Sequence, residues 1–298
     1  MATVGVLCAR GRVEEKALMA ALADASIVSA LFPPADEPLP VGPLPVSPGG
    51  HAFPVPQIVV DRHPNRHVAR VVLATCEALG VPVLSAGIAA TGDRFDVAAA
   101  LTAAQLPRPL TALCTSAEAA LQATAALGLP ATLLPLDFQS GPVALHDADT
   151  AEAVLEHRSV LGGAGGALGL VQAGSPAAGS LVTVIVVAGR ATALSAAVSF
   201  AVDRVLLMAE AAAHVLRADL IAIDVALDPS GPVVWDAHPV PEFRAALPVA
   251  GRTVAAAIAD TVVSRLQPAV VSELRFERSS DWTPLPRSEV RGDVVVSA

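Results

Sequence analysis

Apolar and polar positions recur along this chain in two periods, one near two residues and one near three and a half. The opening run Thr3–Cys8 is short and apolar, as a buried strand requires, and Glu14–Ala25 follows with Leu18, Ala21 and Leu22 on one helical face. Residues 33–56 break the pattern. Their sequence, PPADEPLPVGPLPVSPGGHAFPVP, is too rich in Pro and Gly for a helix interior and is read as one short edge strand and a solvated loop. Gln57–Val60 is strand-like, His67–Leu79 is an apolar-periodic helix, and Gly80 stops it before the strand Val81–Ser85. This alternation describes a small α/β domain ending near residue 86.

A second α/β region begins with a helix over Asp93–Ala104. A second helix, Ser116–Leu127, has Ser116 as N-cap and Gly128 as stop, and the strand Ala131–Pro135 follows. Thr150–Arg158 is helical and leads into the glycine-rich LGGAGGALG at 161–169. Beyond it, Leu181–Ala188 and Ala191–Val198 read as a hairpin turning at Gly189-Arg190. A helix over Val202–Leu216, strands Leu220–Leu227 and Pro232–Asp236 around the turn Asp228–Gly231, and a helix over about 250–266 complete the order. The expected organisation is 1–86, 87–170 and 171–268, with a polar, proline-broken tail at 269–298.

Composition narrows the function. With 298 residues and a hydrophobic fraction of 53%, the chain has ample material for a core. A formal net charge of −9 and 3% aromatic residues argue against a nucleic-acid binder, which needs a basic stripe or stacking platforms. Of the 19 basic residues only Lys16 is lysine, so a mechanism resting on two or three lysines is excluded. Cys8, Cys76 and Cys114 are far apart, with no CxxC pair, and read as small buried hydrophobes. No secretory signal pattern opens the chain, and no apolar run reaches the ~20 residues of a membrane span, so a soluble cytoplasmic protein is expected.

Three groups of residues carry candidate chemistry. LGGAGGALG follows a helix, meets no acidic residue until Asp203 and lacks a Lys-Ser/Thr, which favours a flexible connection over a phosphate cradle. Asp224 lies within IAIDVAL and Asp236 closes VVWD; two antiparallel strands joined by DPSG can put both carboxylates on one face, with His238 two residues on. Two hard carboxylates and an imidazole suit a divalent cation, and the alternative is a pair of solvated strand-end carboxylates. Between a strand and a helix, Asp61, Arg62, His63, Asn65, Arg66 and His67 form a polar knot where α/β sheets often hold ligands, with Arg62, His63, Asn65 and Arg66 the candidate pocket groups; the alternative is an N-cap by Asn65 and a solvated basic turn. There is no G-x-S-x-G elbow for a serine nucleophile.

Several phrases, in this order, resemble the ATP-grasp ligases, and the LysX/RimK-like members above all. Thr91-Gly92-Asp93-Arg94, Leu106-Pro107-Arg108-Pro109 and Leu127-Gly128-Leu129-Pro130-Ala131 resemble the opening of an ATP-grasp domain. Ala153–His157, Val160–Gly163, Val184–Arg190 and Ile223-Asp224-Val225 continue the match, and Asp236-Ala237-His238 with Pro241–Arg244 is similar to the closing metal-and-substrate motif. The resemblance spans residues 3–266. It implies an α/β (α+β) ATP-grasp-like fold: a small pre-ATP-grasp α/β domain, then two α/β subdomains. It also implies Mg-ATP as cofactor and a carboxylate activated as acyl phosphate before amide formation, as in lysine biosynthesis on a carrier protein.

Against that family pattern the chain has lost much. Ala131-Thr132-Leu133-Leu134-Pro135 has leucine where a nucleotide-binding lysine is expected, and the glycine-rich flap has become Asp137–Val143. Val171–Ser175 lacks the acidic residue of the adenosine site, and the basic loop after Arg190 is largely missing. No Arg stands between Arg108 and Arg158, where the first phosphate ligand belongs. The leading expectation is a pseudoenzyme that acts by binding, as a homo- or hetero-oligomer, to an active ligase paralogue, a carrier protein or an amino-acid-like ligand. A second is an active ATP- and Mg-dependent carboxylate–amine ligase of amino-acid biosynthesis in which Arg190, Asp224, Asp236, His238 and Arg244 carry metal and substrate. A third is a metal- or small-molecule-binding module at the polar knot. In the first two, Asp236 stands for the family's glutamate and His238 for its asparagine.

Overall fold

The computed structural model describes residues 3–33, 55–161, 168–177, 180–196, 202–228 and 231–266. A parallel sheet opens the chain, in the order β2 (Val28–Phe32), β1 (Thr3–Leu7), β3 (Ile58–Asp61), β4 (Val83–Leu84). Val4, Val6, Ile58, Val59 and Val60 are fully buried because helices α1 (Val13–Asp24) and α2 (Arg66–Ala78) cover the two faces. Val28–Phe32, just ahead of the proline-rich segment, is the edge strand paired with β1. The edge strand expected within 33–56 falls, with the expected loop at 34–54, on residues outside the described ones.

Two short elements lead onward: α3 (Ile88–Thr91) and α4 (Arg94–Ala103). Gly87, at φ +57°, lets the chain pass against the end of a later helix; a Cβ there would collide with the Leu216 and Arg217 carbonyls. Asp93 caps α4 by accepting from Phe95 N and Asp96 N, while the Asp96 carboxylate accepts from Asp93 N. That reciprocal cap fixes where the first turn of α4 points.

The second sheet is antiparallel, in the order β5 (Thr111–Cys114), β8 (Gly169–Ala173), β6 (Ala131–Pro135), β7 (Val143–Leu145). β8 straddles residue 170, the expected domain boundary, yet pairs wholly within this sheet. Helices α5 (Ala117–Leu127) and α6 (Ala148–Leu161) cover one face, where Cys114, Leu133, Leu145, Leu155 and Val171 form a core. The opposite face carries Thr132 and Leu134 of β6 and their register partners Gln172 and Leu170 of β8.

The third sheet runs β12 (Gly231–His238), β11 (Leu220–Asp228), β9 (Leu181–Val187), β10 (Arg190–Leu194), β13 (Leu247–Pro248). β9 and β10 meet at Ala188-Gly189, both at positive φ, one residue earlier than expected. Both faces of this sheet are covered. Val182, Val184, Ile221 and Ile223 share a core with Val205, Ala209 and Ala212 of α7 (Val202–Val215). Ile185, Val187, Leu220 and Ala222 share another with Leu18 of α1 and with Ile258 and Val262 of α8 (Val254–Leu266). Burial on both sides explains why β9 and β11 are nearly continuous apolar runs, and it makes Asp224 conspicuous. The LGGAGGALG segment falls largely, and the 269–298 tail entirely, outside the described residues.

Candidate functional site

Asp224 and Asp236 are direct register partners on β11 and β12, with a register shift beginning after Asp224. Both are buried, and each is already engaged. Asp224 Oδ2 lies 2.7 Å from His238 Nε2, and its Oδ1 accepts from Thr183 Oγ1 at 2.6 Å, Thr183 being its partner across β9. Burial works against the Asp224 carboxylate, but the bond and charge of His238 outweigh it and lower its pKa. The same pairing raises His238, again against the effect of burial.

The other carboxylate meets an arginine that the sequence reading did not assign. Arg94, in the first turn of α4, donates from Nε to Asp236 at 3.0 and 3.2 Å. Its Nη1 donates to the carbonyls of Pro135 at 2.8 Å, Asp137 at 2.5 Å and Ser140 at 3.0 Å, and the guanidinium lies 5.1 Å from the Phe138 ring centroid. A cation therefore does reach the end of β6, supplied from outside the Arg108–Arg158 gap. Among the described residues, no group of three or more His, Cys, Asp or Glu is placed to hold a metal ion. Asp224, Asp236 and His238 come together as expected, but as members of two ion pairs. With Arg94 and His238 paired to them, the two carboxylates as placed do not form a three-ligand set for a divalent cation.

Beside this apex, two adjoining cavities of about 420 and 760 Å³ share Arg12, Glu14, His238, Val240 and Glu242. The first is also lined by Arg10, Arg62, Asn65 and Arg66, the second by Arg244. Of the expected pocket groups, Arg62, Asn65 and Arg66 line the cleft and His63 does not, and their side chains are mostly turned to structural work. Arg62 pairs with Glu15 of α1 at 3.1 Å, donates to Pro241 O at 2.5 Å and stacks 5.0 Å from the Phe243 centroid. Arg66 grips Asp61 and donates to the His63 and Ala90 carbonyls at 2.7 Å each. Asn65 caps α2, accepting from His67 N and Val68 N, and His63 Nδ1 lies 3.1 Å from Asn65 N.

Arg190 does not join the site. It is exposed at the β9–β10 turn, and its β9 register partner Val187 lies four residues beyond Thr183, roughly 13 Å along the strand. Arg10 and Arg12 were missed, although the rule that flagged 61–67 applies equally to the loop at the C-terminal end of β1. The face of β6 and β8 turned away from α5 and α6 is apolar or neutral. Thr132 donates to Gly174 O, Gln172 donates to Trp235 O at 3.3 Å, and Leu134 and Leu170 pack on Ala98 of α4. Lys16 is exposed on α1.

No family model matches the chain. Among solved structures it is similar to a RimK-domain ATP-grasp protein from Sphaerobacter thermophilus, with 28% identity, 88% of this chain and 100% of that one covered, and a TM-score of 0.71. The fold is ATP-grasp. The ATP-grasp ligase PsnB, complexed with precursor peptide PsnA2 and AMPPNP, shares this fold at 16% identity, covering 88% and 96% of the two chains with a TM-score of 0.64. So does the D-alanine–D-alanine ligase from Bacillus anthracis, at 12% identity, 89% and 97% coverage and a TM-score of 0.63. The α/β layout expected from the sequence is the ATP-grasp layout, and no helix among the described residues is long and apolar enough to cross a membrane.

Proposed function

We propose that this ATP-grasp chain acts by binding and does not turn over ATP: a pseudoenzyme of the ligase fold that uses its arginine-lined cleft. The observation that carries this reading is the face formed by Thr132, Leu134, Leu170 and Gln172, all buried and none cationic. Phosphoryl transfer needs preorganised cations on the triphosphate, and each lost donor of that kind costs about 3–4 kcal/mol of transition-state stabilisation. The chain's sole lysine is elsewhere, and Arg94 is tied to Asp236 and three carbonyls. The cleft takes an amino-acid-like carboxylate ligand or the acidic segment of a carrier protein, and the chain pairs with an active ligase paralogue.

The competing reading is an active Mg-ATP-dependent carboxylate–amine ligase; PsnB and the D-alanine–D-alanine ligase are ligases by name. One feature favours it: Arg94 places a cation at the end of β6. For that cation to serve a nucleotide it must leave Asp236, and a metal at Asp224 must compete with His238. An ADP-release assay with Mg-ATP and a panel of amino acids separates the two. The binding reading predicts a rate equal to the no-enzyme blank with every acceptor. Acceptor-dependent ADP release that disappears in Asp224→Ala establishes the ligase instead.

A further inference from the structure

Hard oxygen ligands converge at the end of β6: the Asp236 carboxylate and the carbonyls of Pro135, Asp137 and Ser140. Carboxylates and backbone carbonyls are the donor set a divalent cation selects. A guanidinium occupies their centre. We propose that Arg94 is the resident cation of this carboxylate apex, standing where a metal would stand and latching the second sheet to the third.

Three observations support the assignment. The first is geometry. One edge of the guanidinium, through Nε, faces β12, and Nη1 faces the end of β6 and the β6–β7 connection, so Arg94 bridges two sheets, 142 positions from Asp236 and 41 to 46 from the carbonyls. The second is burial: the Arg94 side chain is 2% exposed and Asp236 is 4% exposed, so this charge pair is removed from solvent and held by its hydrogen bonds. The third is the second carboxylate. Asp224 has its own protein partners in His238 and Thr183, one on each oxygen, so an ion at Asp224 would have to compete with them. The Arg94 position itself is set by the reciprocal Asp93–Asp96 cap of α4. Phe138 and Gln139, on the connection that Arg94 holds, line the cleft, so the latch also fixes one of its walls.

The proposal makes the apex indifferent to divalent ions. Manganese(II) binding to the full chain, followed by electron paramagnetic resonance, tests it with Arg94→Met, Asp236→Asn and the double variant. The wild type is expected to bind no manganese at millimolar metal, and hydrogen exchange at residues 133–140 to be the same in EDTA and in magnesium. Arg94→Met is expected to gain one manganese site, abolished when Asp236→Asn is added, and to exchange faster across 133–140. Wild-type binding that Asp236→Asn removes would overturn the assignment, and that arm stands even if Arg94→Met does not fold. A folded Arg94→Met with neither new binding nor faster exchange would overturn it as well.

Discussion

Arg62→Met is the perturbation that best separates a structural arginine from a ligand-binding one. The Arg62 and Glu15 side chains are 2% and 4% exposed and 3.1 Å apart. At that distance, and an effective dielectric of 20, their attraction is about 5 kcal/mol before desolvation is subtracted. Burial lowers the Arg62 pKa, while Glu15, Glu14 and Asp61 act to keep it charged. Methionine fills much of the same volume but leaves Glu15 without its partner, Pro241 O without its donor and Phe243 without its cation. Breaking a buried pair from one side costs about 3–5 kcal/mol, and we expect a loss in that range. Glu15→Gln is expected to lose stability too, since it removes the charge facing Arg62 and leaves one acceptor oxygen for two donors, Arg62 and Arg12 N. The double variant Arg62→Met/Glu15→Leu should recover part of the loss, with a coupling of about 1–3 kcal/mol. Urea unfolding monitored by circular dichroism and by tryptophan fluorescence gives the comparison. A loss below about 1 kcal/mol for Arg62→Met would refute the reasoning, because it is what a solvated cation gives.

Three further outcomes follow from particular residues. Asn65→Ala removes the α2 cap and should cost about 1 kcal/mol by urea unfolding, whereas a loss above about 3 kcal/mol would give Asn65 a larger role than capping. Burial pushes the Cys76 thiol up to about 11, so native protein at pH 8 should leave Cys76 unalkylated while denatured protein reacts at all three cysteines; rapid native labelling of Cys76 by peptide mapping would contradict this. The Asp224–His238 pair gives a pH signature. His238 is raised above 6.5, so its stabilisation is complete below that value and is lost as pH rises through the higher folded pKa. Asp224 is depressed below 3.8, so its stabilisation holds above that value and is lost as pH falls through the lower folded pKa. Relative to His238→Ala, the wild type should therefore gain most between 3.8 and 6.5, and a difference flat across pH would show that the pair is not coupled.

The elements most legible in the sequence were those whose ends carry their own chemistry. Ser116 and Gly128 bracket α5, and the side chain of Ser116 does accept from Ala119 N, as an N-cap should. Ala131–Pro135 was bounded by proline on both sides and came out residue for residue. β5 and β8 were missed for opposite reasons. Thr111–Cys114 is four residues long at a sheet edge, with little burial to pattern it, and Gly169–Ala173 emerges from a glycine run that masks its start. At the site, Asp224, Asp236 and His238 could be placed together because strand register is local. Arg94 could not, since nothing near the start of α4 signals a carboxylate 142 residues later. Arg62 and Arg66 looked like ligand groups because free and paired arginines are indistinguishable in sequence; Asp61 stood in the same knot, but that it grips Arg66, and that Glu15 pairs with Arg62, shows only once α1, β3 and α2 are packed.

Titration calorimetry of the purified chain with Mg-ATP and Mg-ADP, repeated on Asp224→Ala, tests the central claim most directly. If the space between the two antiparallel sheets is closed by Leu134, Leu170, Gln172 and the Arg94 latch, neither nucleotide gives saturable heat at millimolar concentration, and the variant behaves identically. Saturable binding to the wild type that Asp224→Ala abolishes would contradict the account and restore the chain to the active ligases.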